Sequence, residues 1–451
     1  MNQRIVVIGG LAAGPSAASK AKRINPDADV TLLEQSEHVS YGICEIPYYI
    51  GNVVQDPDNL IVFTPNDLGK EKGICVRTLS VVEEIDPVNK SLAVRDLRKG
   101  KIDEVPYDKL IIATGSRPKT LGFPGEDARN VFQIKSLDGA FALKKYIGEE
   151  KPAKAVIVGG GYIGMEMAEA LVANGIETTI LHRSDLPMSG LEAGTKQMVL
   201  EELGRQGVRF HPKTQVKRFI TDSAGKVYKL ETSSGDFSAD LVIVAIGVEP
   251  NTELALKPRI SLGPHGGITT DQRQSTSVDS ILAAGDCCEV RNFVNNAWMY
   301  APLATIATRQ AWVAGENAAG GTAVFKGALR AIAVKVFDLE VARVGLSSRE
   351  AQESGFDVVI DSIDAHSRIW FFPNSAKLHV TIVLDKRSRR ILGANLIGKD
   401  GAVLRANTLS VAIQQRLTIE EISHLDLIYT PPFSPLWDPL LIAANRLKKR
   451  K

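Results

Sequence analysis

Short apolar runs rich in β-branched residues recur along the chain, and several are followed by glycine-rich turns. The first run covers residues 4–8, a small-residue segment then predicts a helix from about Pro15 to Ile24, and a second run covers residues 29–33. Continuous apolar runs of this length are typical of strands buried on both faces of a parallel sheet. The order strand, turn, helix, strand predicts a βαβ unit over the first 34 residues.

The turn of this unit carries a dinucleotide-binding pattern with one departure. Gly9 and Gly14 fill the outer positions of G-x-G-x-x-G, Leu11 replaces the middle glycine, and Glu34 follows the second strand. The glycines permit a tight turn, the helix N-terminus attracts a pyrophosphate, and the acid can accept hydrogen bonds from an adenosine ribose. We therefore expect a dinucleotide here, the alternative being a glycine-rich turn of another α/β fold.

The same unit recurs in the middle of the chain. A strand at residues 154–158 leads into Gly159, Gly161 and Gly164, which match the full pattern and enclose Tyr162 and Ile163. A helix is predicted from Met165 to Asn174, and a strand follows at residues 177–181. Two fingerprints predict two dinucleotides, a flavin and a nicotinamide, and the alternative is a structural duplicate with one inactive site.

The end of the second unit bears on the choice of nicotinamide. His182 and Arg183 stand where an acid would bind the ribose of NADH. A cation without a carboxylate suits a 2′-phosphate, so the sequence favours NADPH over NADH.

Three further strands complete the dinucleotide-binding pattern. They are predicted at residues 109–116, 240–247 and 280–286, and they carry Thr114 with Gly115, Gly247, and Asp286 respectively. We expect Asp286 to bind the ribityl chain of FAD. The predicted fold is α/β, with two Rossmann-like three-layer dinucleotide-binding domains and an α+β C-terminal domain. The expected boundaries are 1–115 with 250–322 for FAD, 116–249 for NAD(P)H, and 323–451 for the C-terminal domain.

Composition and charge exclude several classes of protein. The chain has 44% hydrophobic and 24% charged residues, and 54 Lys and Arg against 52 Asp and Glu give a net charge of +2. This balance indicates no nucleic-acid partner, and the basic residues 446–451 are interpreted as a solvated terminus. No apolar run reaches the ~18 residues of a membrane span, and no signal-peptide pattern is present, so we expect a cytoplasmic protein.

The cysteines are too few and too scattered for a disulfide scaffold or a metal site. They are Cys44, Cys75, Cys287 and Cys288, and no C-x-x-C occurs. We expect the last three to be buried small apolar residues with a structural role, although the adjacent pair could oxidise.

Because it carries these motifs, the chain resembles the flavoprotein disulfide reductases that bind two dinucleotides. It is most similar to their single-cysteine branch, which includes coenzyme A-disulfide reductases, NAD(P)H persulfide reductases and NADH oxidases. The resemblance covers essentially the whole chain and is carried by residues 40–51, 333–339 and 429–435 together with both glycine loops. It implies that the C-terminal domain is a dimerisation domain, and that in the homodimer each C-terminal tail completes the partner's active site.

The resemblance also assigns roles to individual residues. It implies that Cys44 is the single redox-active thiol, that Ser40 helps to bind FAD, and that Tyr429 donates a hydrogen bond to the partner's sulfur or substrate. Lys20 and Arg23 would contact coenzyme A phosphates. The alternatives are an ordinary interface aromatic for Tyr429 and a solvated basic helix face for the two cations.

Several positions depart from the family pattern. Tyr49 replaces the second cysteine of the dithiol members, and Ala12 replaces the histidine of NADH oxidases and peroxidases. Glu45 stands beside the reactive cysteine, Trp312 occupies the place of a usual arginine, and residues 370–373 lack the family's second tyrosine.

These observations predict an FAD-dependent NAD(P)H oxidoreductase that reduces a small-molecule disulfide, persulfide or polysulfide, with coenzyme A as one candidate thiol. One alternative is an NADH oxidase or peroxidase that reduces O2 or H2O2. The other is a flavin-bearing redox sensor without turnover.

Overall fold

In the computed structural model, which describes residues 2–450, the chain is organised around three five-stranded sheets. The strands, in chain order, are β1 (Arg4–Ile8), β2 (Asp29–Leu33), β3 (Cys75–Arg77), β4 (Ser80–Asp86), β5 (Ser91–Asp96), β6 (Lys101–Pro106), β7 (Lys109–Ile112), β8 (Ser116–Pro118), β9 (Val131–Phe132), β10 (Lys154–Val158), β11 (Glu177–Leu181), β12 (Arg209–His211), β13 (Val216–Thr221), β14 (Val227–Thr232), β15 (Gly235–Ser238), β16 (Leu241–Val244), β17 (Val248–Pro250), β18 (Ile281–Ala283), β19 (Val290–Arg291), β20 (Trp298–Met299), β21 (Ile332–Val336), β22 (Leu339–Gly345), β23 (Val358–His366), β24 (Lys377–Asp385) and β25 (Ile391–Gly398). The helices are α1 (Ala13–Ile24), α2 (Ile46–Ile50), α3 (Pro65–Lys72), α4 (Leu137–Glu150), α5 (Tyr162–Ala173), α6 (Ala193–Arg205), α7 (Glu253–Leu256), α8 (Ala304–Ala318), α9 (Ser348–Glu353), α10 (Ala402–Gln414), α11 (Ile419–Ile422) and α12 (Pro439–Lys448), with a 3-10 helix at Pro57–Leu60.

The first sheet is parallel throughout, with the strand order β18-β7-β1-β2-β3. Ile5 and Val7 pack with helices α1 and α8 on one face, and Val6 and Ile8 pack with the antiparallel sheet β4–β6 on the other. Because both faces of β1 are buried, its sequence is apolar at successive positions and shows no polar alternation. The result is the expected three-layer unit.

The second sheet repeats this arrangement with the order β12-β11-β10-β16-β9. Ile157 of β10 packs with helices α4, α5 and α6, whereas Val156 and Val158 pack with the antiparallel sheet β13–β15. The predicted fold class is therefore confirmed in both dinucleotide-binding units.

A two-stranded ribbon joins the first two units. Strand β8 leads out of the first sheet and pairs in antiparallel register with β17, which leads back. Strand β18 then completes the first sheet by pairing with β7. The first sheet is therefore built from two stretches of the chain, one that precedes the second sheet in the sequence and one that follows it.

The third sheet is antiparallel, with the order β21-β22-β25-β24-β23. Helices α10, α11 and α12 cover one face through a continuous apolar cluster. Residues of β21 and β22, among them Val336 and Val341, pack instead into the core of the second unit. Polar contacts reinforce this junction, since Ser348 donates to Glu192 at 2.8 Å through both its backbone N–H and its hydroxyl.

Two helices begin earlier than the sequence indicates. Helix α1 begins at Ala13 instead of Pro15, and α5 begins at Tyr162 instead of Met165. In both cases the helix starts within the glycine loop, because Gly14 and Gly164 carry no side chain and let the first turn lie directly against the glycine that follows the strand. None of the helices within residues 2–450 is long and apolar enough to span a membrane.

Arg446, Lys449 and Arg450 are exposed, as expected for a solvated basic terminus, but two of these side chains also bind to the third sheet. Arg446 and Arg450 form ion pairs at 2.8 and 2.7 Å with Asp361, whose side chain is almost completely buried on β23. The segment is therefore anchored to the third sheet, because a buried carboxylate needs a cationic partner. Lys451 lies outside the described residues.

Candidate active site

The first glycine loop comes too close to neighbouring backbone to accept side chains. Gly9 has a φ of +110°, and a Cβ at this position would overlap the carbonyl oxygen of Ala113; a Cβ at Gly14 would overlap the carbonyl oxygen of Gly9. Helix α1 begins within this loop, at Ala13, without a side-chain cap. Its free N–H groups and the positive end of its dipole are therefore available to an anionic group.

Glu34 is held at the edge of this loop by two backbone groups. The Gly10 N–H donates to Glu34 Oε2 at 2.6 Å, and the Ser36 N–H donates to Oε1 at 2.8 Å. The carboxylate is thus fixed beside the helix N-terminus, where the predicted adenosine ribose would lie.

The other strand ends of the first sheet bring more predicted residues to the same edge. The Thr114 hydroxyl donates to the carbonyl of Asn251 at 2.7 Å, and Gly115 adopts a φ of +69° with open space beside it. Asp286, which follows β18, accepts a hydrogen bond from the Ser116 hydroxyl at 3.1 Å. Thr114, Gly115, Asp286 and the glycine loop therefore surround one cleft, as expected for ligands at the carboxyl edge of a parallel sheet.

Two residues that sequence reasoning missed line this cleft. The Lys135 ammonium donates to Ser116 Oγ at 2.9 Å and lies 3.7 Å from Asp286 Oδ2. The Tyr300 hydroxyl is buried without a hydrogen-bond partner, and burial followed by the charge of Asp286 raises its pKa. Neither residue belongs to a recognisable motif, so no local signal indicated them.

The cleft fits the FAD that its motifs predict. Because Gly9 and Gly14 carry no side chains, the backbone of the loop is accessible to a ligand. The buried Tyr300 hydroxyl has no hydrogen-bond partner and could bond to a polar ligand. Among the described residues no cluster of His, Cys, Asp and Glu could hold a metal ion.

Cys44 stands between the two dinucleotide-binding units. Ser40, with a φ of +49°, donates its N–H to the carbonyl of Gly10 at 2.7 Å and so ties the cysteine segment to the first glycine loop. Helix α2 follows, and it packs against α5 of the second unit at Gly51 and Ala170. Cys44 itself is exposed to solvent and has no disulfide partner.

Position 49, five residues after Cys44, holds a tyrosine, so no second thiol is available there to form an internal disulfide. Tyr49 is nearly buried and makes an edge-to-face contact with Phe141. Lys144 donates to the carbonyls of Tyr49 and Ile50, so the end of α2 is firmly held.

The surroundings of Cys44 disfavour its charged form. The walls of the cleft desolvate the thiol even though one side faces solvent, and this desolvation raises its pKa; Glu45, Glu166 and Asp286 raise it further, while Lys135 lowers it. Glu166, on α5, is itself perturbed, because burial and then Glu169 raise its pKa to about 7. The sequence indicated the influence of Glu45, but it gave no sign of Glu166 or Lys135.

The second glycine loop repeats the close backbone approach of the first. Gly159 has a φ of +115°, and its Cβ would overlap the carbonyl oxygen of Ala245, while a Cβ at Gly164 would overlap the carbonyl oxygen of Gly159. Gly161 precedes α5 with open space beside it, and Gly247 lies after β16 with a φ of +105°. Tyr162 and Ile163 form the first turn of α5, and both are half-buried.

His182 takes the place that Glu34 has in the first unit. The Gly160 N–H donates to His182 Nδ1 at 3.1 Å, which assigns the remaining ring proton to Nε2. Burial lowers the pKa of His182, and Arg183 and Lys196 lower it further. Arg183 is exposed, so the end of β11 presents a neutral ring and a cation instead of a carboxylate.

Lys20 and Arg23 lie on α1, and each contacts a side chain of α8. Lys20 forms an ion pair with Glu316 at 2.8 Å, and the Arg23 guanidinium lies 5.4 Å from the centre of the Trp312 ring. Lys20 is half-buried in its ion pair, whereas Arg23 remains exposed beside the ring.

Tyr429 lies on the segment between α11 and α12, far along the chain from the residues of the cleft. It is 42% exposed, and Ile428, Phe433 and Trp437 of the same segment are more exposed still. The base of the segment is fixed by a buried pair, in which Arg405 Nε donates to Asp438 Oδ2 at 2.8 Å. Within one protomer, no recorded contact joins Tyr429 to Cys44.

The remaining cysteines differ in exposure. Cys75 is exposed on the edge strand β3, which corrects the expectation of a buried residue. Cys287 and Cys288 are buried after β18, with their sulfur atoms 3.8 Å apart.

Comparison with known proteins matches nearly the whole chain. Residues 3–311 match the sequence model described as pyridine nucleotide-disulphide oxidoreductase, and residues 332–439 match the dimerisation domain of the same group. An NAD(P)H coenzyme A polysulfide/persulfide reductase of Pyrococcus horikoshii is 34% identical over 448 residues, which cover 99% of each chain.

Two solved structures extend the similarity to three dimensions. The NAD-dependent persulfide reductase of A. fulgidus is 36% identical with a TM-score of 0.96, and the match covers 99% of this chain and 83% of that one. An engineered water-forming NADPH oxidase bound to NADPH, made from the Lactobacillus brevis enzyme, is 30% identical with a TM-score of 0.94, covering 99% and 98%.

Proposed function

The chain belongs to the pyridine nucleotide-disulphide oxidoreductases, and from that premise we propose that it uses FAD and NAD(P)H to reduce a small-molecule disulfide, persulfide or polysulfide through Cys44. The observation that carries the proposal is the position of this thiol. It is exposed, it lies between the two glycine loops, and Tyr49 stands where a second cysteine would be needed for an internal disulfide.

The chain's own residues would bind the two dinucleotides at equivalent places. Gly9, Gly14 and the N-terminus of α1 would hold the pyrophosphate of FAD, with Glu34 on its ribose and Asp286 on its ribityl chain. The loop of Gly159, Gly161 and Gly164 would hold the nicotinamide dinucleotide in the same way. FAD, when bound, supplies an acceptor for the hydride of NAD(P)H and a donor of two electrons to sulfur.

Cys44 would act as the nucleophile. Its thiolate attacks one sulfur of the substrate disulfide, which forms a mixed disulfide and releases the first thiol as its conjugate base. Two electrons originating from NAD(P)H then cleave the mixed disulfide, which regenerates the Cys44 thiolate and releases the second thiol. The balance is one NAD(P)H, one proton and one disulfide converted to NAD(P)+ and two thiols.

We infer that coenzyme A compounds are the first substrates to test. The relative from Pyrococcus horikoshii is named for coenzyme A and for persulfides, and it matches this chain over its whole length. Lys20 and Arg23 are the candidate phosphate contacts, although Glu316 and Trp312 would have to release or share them.

For the nicotinamide, we propose a preference for NADPH. Arg183 offers a cation to a 2′-phosphate, and His182 leaves no carboxylate to repel it. The engineered NADPH oxidase supports this reading, because its substitutions include aspartate to alanine followed at the next position by alanine to arginine.

We also propose a homodimer and the domain boundaries 1–115 with 250–322, 116–249, and 323–451. The ribbon of β8 and β17 supports the first two boundaries, and the match of residues 332–439 to a dimerisation domain supports the third. Tyr429 would act on the partner's cleft across this dimer.

The test is the Cys44→Ser variant, with Cys75→Ser as its matched control, since both thiols are exposed. In Cys44→Ser, NADPH should still reduce the flavin in a single turnover, while steady-state reduction of coenzyme A disulfide or polysulfide falls on the order of 10³-fold. Cys75→Ser should retain turnover. Undiminished turnover in Cys44→Ser would remove the thiol from the mechanism.

The same assay separates the two other activities considered. Oxygen consumption equal to NADPH consumption, in the absence of a sulfur substrate, would identify an oxidase. Reduction of the flavin without turnover on any sulfur compound or oxygen would identify a redox sensor.

A further inference from the structure

Cys287 and Cys288 lie side by side at the carboxyl edge of the first sheet, directly after Asp286. Both side chains are buried, and their sulfur atoms are 3.8 Å apart. Successive side chains of a strand point to opposite faces of the sheet, so neighbouring thiols meet only where the chain leaves the strand. Strand β18 ends at Ala283, and the pair lies in the turn that follows. This turn brings together two sulfur atoms that a continuing strand would separate.

The backbone of the pair is held by hydrogen bonds on both sides. The Cys288 N–H donates to the Gly285 carbonyl at 2.8 Å, which is the bond that closes a four-residue β-turn. Asp286 and Cys287 are the two central residues of this turn. The Cys287 carbonyl accepts the N–H of Ile268 at 2.8 Å. A change in the backbone at Cys287 is therefore passed to Asp286, because the two residues share a peptide bond.

The two sulfur atoms are placed to react with each other. Cys287 Sγ contacts the carbonyl oxygens of Ile112 and Ala284 at 3.5 and 3.4 Å, and its sulfur neighbour is Cys288. The hydrogen bond from Cys288 lowers the pKa of the Cys287 thiol, whereas burial raises the pKa of Cys288. Cys287 is thus the sulfur that forms a thiolate more readily, with a second thiol beside it.

We propose that Cys287 and Cys288 form a second redox site, a buried dithiol that hydrogen peroxide oxidises to a disulfide, and that this disulfide loosens the flavin cleft. The Cys287 thiolate attacks one oxygen of H2O2, the O–O bond breaks, and a sulfenic acid forms while the thiol proton leaves with the departing hydroxide as water. The Cys288 sulfur attacks the sulfenic acid, which forms the S–S bond and expels the oxygen as a second water. Two thiols and one H2O2 become one disulfide and two waters.

The effect on the cleft follows from the shortness of the link. Disulfide-bonded residues usually have Cα atoms about 4.4–6.8 Å apart, whereas consecutive Cα atoms are about 3.8 Å apart, so the ring is strained. The turn must absorb this strain, which shifts Asp286 away from the Ser116 hydroxyl that donates to it at 3.1 Å. This consequence rests on the proposed function, in which Asp286 binds the ribityl chain of FAD.

The test uses the FAD-loaded Cys44→Ser protein, in which Cys75 remains as an exposed reference thiol. After treatment with H2O2 and then catalase, the protein is unfolded in N-ethylmaleimide and digested with trypsin. The mass of peptide 274–291, which contains the pair and no other cysteine, is then measured. The pair should be oxidised before Cys75, and the peptide should lose two hydrogen atoms and carry no maleimide. Reduction after unfolding should restore two thiols that can be labelled.

The affinity for FAD is measured on the same samples. Oxidation should raise the Kd for FAD about tenfold, the effect of roughly 1.4 kcal/mol of strain at the turn. Cys287→Ala, made in the Cys44→Ser protein, is the matched control, because it removes the attacking sulfur and leaves Cys288. Its peptide should carry one maleimide after peroxide treatment, and its Kd for FAD should not change. Cys288→Ala replaces this control if Cys287→Ala does not fold.

Two labelled thiols in peptide 274–291 after Cys75 has been oxidised would overturn the inference. So would a sulfinic or sulfonic acid in place of the disulfide, a disulfide that leaves the Kd for FAD unchanged, or an equal loss of affinity in the control. If the untreated protein binds no FAD, or if Cys44→Ser retains turnover, it is the proposed function that fails.

Discussion

Glu34 and His182 show how one backbone geometry accommodates two different side chains. Each follows the second strand of its βαβ unit, and each accepts the N–H of the second residue in its glycine loop. The carboxylate brings a negative charge to the first cleft, whereas the imidazole, whose pKa is lowered by burial, stays neutral near pH 7. The proposed choice between the two nicotinamides would therefore depend on residues that leave the fold unchanged.

Restoring an acid should move the nicotinamide preference towards NADH. In His182→Asp the new carboxylate can accept the same Gly160 N–H, bind the ribose hydroxyls of NADH and repel a 2′-phosphate. The ratio of kcat/KM for NADH over NADPH should rise at least about tenfold, the effect of one charged hydrogen bond of roughly 1.5–3 kcal/mol. Arg183→Ala should raise KM for NADPH alone, while Arg387→Ala, an exposed cation on the third domain, should alter neither. If the NADH over NADPH ratio of kcat/KM is unchanged in both His182→Asp and Arg183→Ala, the proposed preference for NADPH is wrong.

Glu166 is the second residue whose chemistry the fold alters. Its carboxyl is partly buried on α5 beside Glu169, without a recorded cationic partner in the described part of the chain. Because its pKa rises from 4.5 to about 7 on folding, the folded protein holds a proton that the unfolded chain has lost between these values. Stability should consequently fall as the pH rises through this window.

Glu166→Gln should remove this pH dependence. A full shift would correspond to roughly 3 kcal/mol, and solvent screening at a partly exposed site reduces the expected gain at about pH 8 to around 1 kcal/mol. The Tm of the variant should exceed that of the parent at about pH 8 and converge with it towards pH 4.5. Glu201→Gln, an exposed acid on α6, is the control and should follow the parent at both values. Parallel Tm curves for Glu166→Gln and the parent would show that the carboxyl is not perturbed.

Among the elements, the two glycine loops have the strictest steric requirements. Gly9 has a left-handed backbone conformation, and a Cβ there would also overlap the carbonyl oxygen of Ala113. A side chain at this position would therefore fit only if the ends of β1 and β7 moved apart. The absence of a side chain at Gly9, which would leave the backbone free to bind a pyrophosphate, is thus also required for β1 and β7 to pair at this end.

Gly9→Ala should release FAD and destabilise the protein together. The expected loss is about 3 kcal/mol or more, from the strained φ and the displaced strand end. Gly148→Ala is the matched control, because Gly148 lies within α4 with open space beside it, and alanine there should stabilise by up to about 1 kcal/mol. The FAD content after purification and the denaturation midpoint report both effects. Retention of FAD in Gly9→Ala would mean that the loop relaxes more readily than its contacts indicate.

The elements differ in how well the sequence predicts them. The parallel strands and both βαβ units follow directly from apolar runs and glycine spacing, which are local signals. The antiparallel sheets β4–β6 and β13–β15 were not predicted, because their half-buried strands alternate weakly and resemble loops. In the candidate site, Lys135, Ser116 and Tyr300 come together only through the tertiary structure, so no spacing along the chain could have indicated them.

For the whole molecule, a cluster of exposed large apolar side chains lies on the segment between α11 and α12. Ile428, Phe433 and Trp437 are exposed there, whereas the buried pair of Arg405 and Asp438 holds the base of the segment rigid. A rigid, exposed apolar surface of this kind is typical of an interface between subunits. This agrees with the match to a dimerisation domain and with the proposed homodimer.

Phe433→Glu should dissociate the dimer without unfolding the protomer. The side chain is 76% exposed, so the charge costs nothing in the monomer, but it would be desolvated in an interface and should weaken the dimer at least about 100-fold. Turnover should fall with it, while FAD remains bound. Val88→Glu is the control, since Val88 is 87% exposed on the hairpin between β4 and β5. Sedimentation analysis measures the oligomeric state, and a stable Phe433→Glu dimer would place the interface elsewhere.

The return of β18 to the first sheet has a consequence for synthesis on the ribosome. Strand β7, with Leu110 and Ile112 among its apolar residues, has no neighbour on its outer edge until β18 is made, about 170 residues later. At typical elongation rates this interval lasts roughly 10–30 s. During that time the apolar edge of β7 lacks its native neighbour, so we expect the first sheet to be completed only after the second unit has been synthesised.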